Sequence, residues 1–125
     1  MRTVGDIMTT DVLTVKQTAT LGEVARAMRH RNVGSAIVVG EAGEPVGIIS
    51  ERELVESVAR SRNPDQGTAQ SWMNADLVLA GPETDTTHAL EAMSEHHVRH
   101  LTVVREGRLV GVVSMRDLVS EIVRD

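Results

Sequence analysis

Two halves of this chain are written on one pattern. DIMTTDVLTVKQTATLGEVARAM, residues 6–28, lies over SWMNADLVLAGPETDTTHALEAM, residues 71–93. Met8 matches Met73 and Met28 matches Met93, both at an offset of 65. Farther along, NVGSAIVVGEAGEPVGIISEREL lies over HVRHLTVVREGRLVGVVSMRDL. There Gly47 matches Gly111 at an offset of 64, because the intervening turn is one residue shorter. Ser50 then falls on Ser114 and Glu53 on Asp117. Self-similarity at a fixed period marks a supersecondary unit used twice. A unit of about 60 residues buries too little surface to stand comfortably alone. Two units with matching apolar faces can cover each other, so the repeat predicts a pseudo-twofold pair with clefts between its halves.

Each unit reads as β-α-β-β-α. A short apolar strand comes first, at about residues 12–15 and 77–80. A helix follows: Leu21, Val24, Ala25 and Met28 fall at i, i+3, i+4 and i+7, and Thr86, Ala89, Leu90 and Met93 repeat that spacing. Thr20 with Glu23 forms a capping box, and Asp85 is the corresponding cap in the second unit. Two β-branched runs of strand length come next, AIVV with VGII and then LTVV with LVGVV. EAGEP and REGR between them are hairpin turns. A closing helix carries Leu54, Val55 and Val58 in one unit, and Leu118, Val119 and Ile122 in the other. Residues 1–62 are the first repeat, 63–70 a connector with Pro and Gly turn signals nearby, and 71–125 the second repeat. The 125 residues are one module.

Composition narrows the function. With no Phe, no Tyr and one Trp, stacking platforms for bases are almost absent. Net charge is −5, with no basic run, which argues against a nucleic-acid backbone as partner. There is no Cys, hence no disulfide, no thiolate nucleophile and no Cys-based zinc site. No signal-peptide pattern opens the chain, and no apolar run approaches the roughly 20 residues of a membrane span. The expectation is a cytoplasmic protein without a membrane partner.

The stretch GVVSMRD, residues 111–117, recurs as GIISERE at 47–53. Both sit where a strand becomes a helix. Ser114 and Asp117 have the spacing of a helix cap, in which the carboxylate reaches back to a free N–H. The same junction suits a ligand. A helix N-terminus attracts phosphate, and a carboxylate beside it can accept hydrogen bonds from a sugar diol. HHVRH, residues 96–100, would place His96 and His100 on one face if helical. Its position between a helix end and a strand reads instead as a turn, and no metal site is expected. No G-x-S-x-G elbow supports a hydrolase triad, so no catalytic residue is assigned. Gly47 and Gly111 interrupt apolar strands, which marks a bulge or a close approach. Trp72 reads as a packing anchor for the connector.

These features together resemble a tandem cystathionine-β-synthase (CBS) domain pair, or Bateman module. The resemblance covers essentially the whole chain. It rests on the repeated β-α-β-β-α order and on the pattern G-h-x-[ST]-x-x-[DN], h being apolar. GVVSMRD meets that pattern in full, and GIISERE departs from it at Glu53. The resemblance implies an α/β (α+β) fold of two packed repeats and a stand-alone, non-enzymatic sensor or regulator. Its ligand would be AMP, ADP, ATP or S-adenosylmethionine, bound between the repeats and not as a catalytic cofactor.

Carried over by motif, Asp117 would bind ribose hydroxyls and Ser114 would lie near ribose or phosphate. The adenine would lie against Val78 and the segment Val98, Arg99 and His100. Arg99, His100 and Arg116 are suited to phosphate. The first repeat offers a weaker second site of Leu13, Val33, Gly34, Ser35, Ser50, Arg52 and Glu53. There the longer Glu53 side chain displaces its carboxylate, and Ser-x-x-Glu is the better capping box. In some relatives, basic residues of the opposite unit hold the phosphates of a site. Such modules also form homodimers through their helices, which points to Leu54, Val58, Leu118 and Ile122, and they act on an effector protein that this sequence does not identify. The alternative is a ligand-free interaction module with the same fold.

Overall fold

The computed structural model describes residues 2–60, 63 and 65–124. The element order is α1 (Val4–Ile7), β1 (Thr14–Lys16), α2 (Leu21–Arg31), β2 (Ser35–Val39), β3 (Pro45–Ser50), α3 (Glu51–Arg60), α4 (Ala69–Trp72), β4 (Leu79–Ala80), α5 (Thr86–His96), β5 (His100–Arg105), β6 (Arg108–Ser114) and α6 (Met115–Arg124). Each repeat gives one three-stranded sheet, in the orders β1-β2-β3 and β4-β5-β6. The first pair in each is parallel and the second antiparallel.

The expected strands and long helices are present, with first strands that begin later than their apolar runs. Two one-turn helices, α1 and α4, were not expected. Each opens on a local cap: the Thr3 N–H donates to Asp6 at 2.8 Å, and the Thr68 N–H donates to Ser71 Oγ at 3.1 Å. A single turn is too short to show apolar periodicity, so only Thr-x-x-Asp and Thr-x-x-Ser could have signalled them.

The chain divides into two compact units that cut across the linear repeats. The segment up to Val12 joins Val78 and everything after it, and Leu13–Leu77 forms the other unit. In the unit of β4–β6, the Val4 and Gly5 N–H groups donate to the carbonyls of Thr84 and Pro82, both at 2.7 Å. Thr9 then pairs with Val112 on the free edge of β6, and Arg2 forms an ion pair with Glu121 of α6. In the unit of β1–β3 the segment around α4 does the same job. Ala69 donates to the Ala19 carbonyl at 2.8 Å, and Asn74 pairs with Ile48 on the edge of β3. A strap preceding each repeat thus belongs to the sheet of the other repeat.

Both cores are aliphatic, as the lack of Phe and Tyr demands. Val4, Ala89, Met93, Leu101, Val103, Val113 and Leu118 form one. Leu21, Val24, Met28, Ala36, Val38, Ile49 and Ala69 form the other. Leu118 is therefore not available to a helix-face interface, because its side chain fills its own core. Helix propensity put it on an apolar stripe, and only packing shows which part of the stripe turns inward. Val55, Val58, Val119, Ile122 and Val123 stay exposed.

The hairpin turns use residues with positive φ. Glu106 and Gly107 have φ of 52° and 77° in the two-residue β5–β6 turn, as its twist requires. Register shifts fall between Val38 and Val39 and between Val103 and Val104, next to the pairs Val38–Gly47 and Val103–Gly111. Both glycines therefore lie at bulges, and both are also close approaches. A Cβ on Gly111 would run into Met8, and one on Gly47 into Met73. Trp72 is half-buried against the core of its unit, its Nε1 only 2.7 Å from where a Cβ of Gly67 would stand, which anchors the connector as expected.

Candidate ligand corners

In the unit of β4–β6 the residues singled out in the second repeat converge at one end of the sheet. α5 stops at His96, and His97 adopts a left-handed conformation at φ 55°. The Val98 N–H then closes onto the Met93 carbonyl at 3.0 Å. This turn delivers Arg99 and His100 to the start of β5, where His100 stands opposite Ser114 at the end of β6. The Met115 N–H donates to the Arg99 carbonyl at 2.8 Å, which ties the turn to the first residue of α6. Val78 lies alongside, its carbonyl accepting from the Thr102 N–H at 3.0 Å. Val78, Val98, Arg99, His100, Ser114, Arg116 and Asp117 thus share one corner. Val78 and Val98 pack on the core, whereas Arg99 and Arg116 are exposed.

At the centre of this corner is a reciprocal cap. The Asp117 N–H donates to Ser114 Oγ at 3.1 Å, and the Ser114 N–H donates to Asp117 Oδ2 at 3.3 Å. Both residues are half-buried. The long contact to Oδ2 leaves the carboxylate at the surface of the corner with acceptor capacity to spare, since an ionised carboxylate can take about four hydrogen bonds.

The unit of β1–β3 builds the same corner from Leu13, Val33, Gly34, Ser35, Ser50, Arg52 and Glu53. Asn32 is left-handed at φ 54°, and Ser35 stands opposite Ser50. The Glu51 N–H donates to the Gly34 carbonyl at 3.2 Å, and the Ile37 N–H to the Leu13 carbonyl at 2.9 Å. The cap differs. Glu53 Oε1 accepts from both the backbone N–H and the hydroxyl of Ser50, each at 2.6 Å. The extra methylene lets this carboxylate fold right back, and Ser50 Oγ donates where Ser114 Oγ accepts. Glu51, which the motif did not single out, also belongs here: its Oε1 lies 2.9 Å from where a Cβ of Gly34 would stand. Its signal was its place as first residue of α3, beside the motif serine.

HHVRH gives no helical ligand pair, since α5 ends inside it. Among the described residues, no group of three or more His, Asp or Glu is placed to hold a metal ion. No helix among them is long and apolar enough to cross a membrane.

Two three-stranded sheets, each leading through a serine into a helix beside a left-handed turn, make up a tandem-repeat architecture. The CBS domain family matches residues 4–60 and again 69–124, and the chain belongs to that family as a tandem pair. It is 35% identical over 118 residues to the uncharacterised protein MK0525 of Methanopyrus kandleri, covering 93% of this chain and 60% of that one. It is 34% identical over 118 residues to the CBS domain-containing protein YhcV of Bacillus subtilis, covering 94% of this chain and 84% of that one. Among solved structures, the CBS domain pair of protein MJ0100, in complex with 5'-methylthioadenosine and S-adenosyl-L-methionine, superposes with a TM-score of 0.89. That match has 23% identity and covers 99% of this chain and 97% of that one.

Proposed function

We propose that this chain is a non-catalytic sensor module that binds an adenosine compound, AMP, ADP, ATP or S-adenosylmethionine, and passes the binding event to an effector protein in the cytoplasm. The observation that carries the reading is the Ser114–Asp117 corner. It combines a half-buried carboxylate, a helix N-terminus, an apolar wall of Val78 and Val98, and the bases Arg99, His100 and Arg116. That is the chemistry of a nucleotide: diol to carboxylate, base to apolar wall, phosphate to arginine and helix N-terminus. The adenosine ligands named for MJ0100 support the ligand class. Binding acts by population shift, favouring one arrangement of the module over another.

The module works as a homodimer. Val55 and Val58 on α3, and Val119, Ile122 and Val123 on α6, are apolar and exposed, which a partner surface would cover. A ligand-free interaction module is favoured only at the other corner, where Glu53 is spent on Ser50.

A thermal-shift panel of AMP, ADP, ATP and S-adenosylmethionine tests the reading. A ligand that binds only the folded state raises the melting temperature, by an amount that grows with the logarithm of its excess over Kd. At least one adenosine compound should do so; a flat panel would favour the interaction module.

A further inference from the structure

The matching helices α2 and α5 bury the same stripe and carry opposite charge outside it. At an offset of 65, Leu21, Val24 and Met28 fall on Thr86, Ala89 and Met93, all of them buried. On the outer faces Glu23 falls on His88, Arg26 on Glu91 and His30 on Glu95, all six exposed. Acid and base trade places at each of the three positions. The first exchange has a local cause, since Glu23 closes a capping box and His88 bonds Asp85. The others do not. Glu95 stands in the last turn of α5, where the field of the helix disfavours a carboxylate. Arg29, Glu91 and Glu95 make no ion pair among the described residues, and Arg26 has only an exposed one with Asp65 at 3.7 Å. Each charged helix also accompanies an apolar one. α5 packs on α6, and α2 covers the same core as Leu54 of α3. Val55 and Val58 of α3 and Val119, Ile122 and Val123 of α6 are the exposed apolar residues of these partners. An apolar centre with a charged rim is the make-up of a protein interface.

We propose that a second copy of the chain covers this surface, turned so that α2 of each copy lies against α5 of the other. This inference rests on the homodimer reading and gives the dimer an orientation. Twofold symmetry makes the α2–α5 contact twice. Arg26 and Glu91 are the middle residues of their helices, so they meet whichever way the two helices cross. The opposite orientation would set Arg26 and Arg29 against their own copies, and Glu91 and Glu95 against theirs. Like charges set face to face suppress a pairing, and opposite charges fix it. The exposed valines supply attraction without direction, and the charge exchange between α2 and α5 supplies the direction.

The test is sedimentation equilibrium of the whole chain in four forms: wild type, Arg26→Glu/Arg29→Glu, Glu91→Arg/Glu95→Arg, and the chain carrying all four substitutions. The four side chains are exposed, and melting temperatures check that each form is folded. Either double variant makes α2 and α5 alike in sign, so the dimer should weaken about tenfold or more. The fourfold variant restores opposite signs and should dimerise about as tightly as the wild type. Raising the salt concentration should weaken the wild-type dimer and narrow its lead over the double variants, because exposed charges are screened. The salt series on the wild type gives a reading even if a variant melts early: a wild-type dimer indifferent to salt would overturn the proposal. Double variants that dimerise like the wild type, or a fourfold variant as weak as they are, would overturn the orientation and leave the homodimer intact. A wild type with the mass of one chain would overturn both.

Discussion

Met8 lies against Gly111 so closely that a Cβ at residue 111 would have to displace it, and Met73 lies against Gly47 in the same way. Each methionine ends a one-turn helix, and each glycine sits at a bulge in the last strand of a sheet. The repeat noticed in the sequence as matching Met and Gly positions is thus, in space, a pair of knobs set on bare backbone. Gly111→Ala should cost roughly 1–3 kcal/mol by overpacking. Met8→Ala should recover part of that loss in the double variant, because neighbours in contact are not additive. Denaturant melts of the two single variants and the double would measure the coupling. A purely additive result would separate the two residues.

The strap of residues 2–9 should stabilise the unit of β4–β6 and not the other. Val4 is fully buried in that core, and the Val112 N–H donates to the Thr9 carbonyl at 3.0 Å. Val4→Ala should cost about 2 kcal/mol. In native-state hydrogen exchange, the Val112 amide should lose protection, while the Ile48 amide, which donates to the Asn74 carbonyl, keeps it. Equal loss at both amides would show that the strap does not act on one unit alone.

Stability should carry a small pH signature from α5. Asp85 caps that helix through the His88 N–H at 2.8 Å, and its carboxylate meets His88 Nδ1 at 3.0 Å. The hydrogen bond from His88 holds Asp85 below its ordinary value of 3.8, and the bond to Asp85 raises His88 above 6.5. The His88 contribution is complete below 6.5 and disappears as pH rises through the elevated folded value. The Asp85 contribution is present above 3.8 and disappears as pH falls through the lowered one. Melting temperatures of wild type and His88→Gln should converge as pH rises from below 6.5 through the elevated folded value of His88. A constant gap across that range would contradict the assignment. His88 is exposed and Asp85 only half-buried, so the effect is slight.

Arg99 and His100 should act on phosphate. Changing both to Ala should weaken AMP binding more than tenfold, since charge-assisted hydrogen bonds contribute about 1.5–3 kcal/mol each. Adenosine binding should change little. Equal losses for AMP and adenosine would place these residues against the base.

The exposed valines should hold two chains together. Val58→Glu should convert a sedimenting dimer into a species with the mass of one chain, because a carboxylate on a covered apolar face is expensive to bury. A wild type that is already monomeric at micromolar concentration would dismiss the homodimer.

The family and the order of strands and long helices were legible in the sequence because periodicity, caps and turns agree with one another over long segments. Thr20–Glu23 and Asp85–His88 behave as their spacing requires. The one-turn helices were not legible, since four residues carry no period. The crossing of the straps was hidden for another reason: which sheet takes Val4 is decided by a distant core, not by its neighbours in sequence. At the corners, the motif brought Ser114 and Asp117 to notice, and the folding back of Glu53 followed from its extra methylene. Glu51 over Gly34 was missed because it depends on a turn reaching the start of α3 from elsewhere in the chain.

The central claim is that the Ser114–Asp117 corner holds the sugar of an adenosine compound, and calorimetry on Asp117→Ala and Glu53→Ala tests it most directly. Two hydrogen bonds to an ionised carboxylate contribute a few kcal/mol, so Asp117→Ala should weaken AMP binding by about a hundredfold. Glu53→Ala, with its fold checked by melting, should leave that affinity in place. Loss of AMP binding in Glu53→Ala with none in Asp117→Ala would contradict the account.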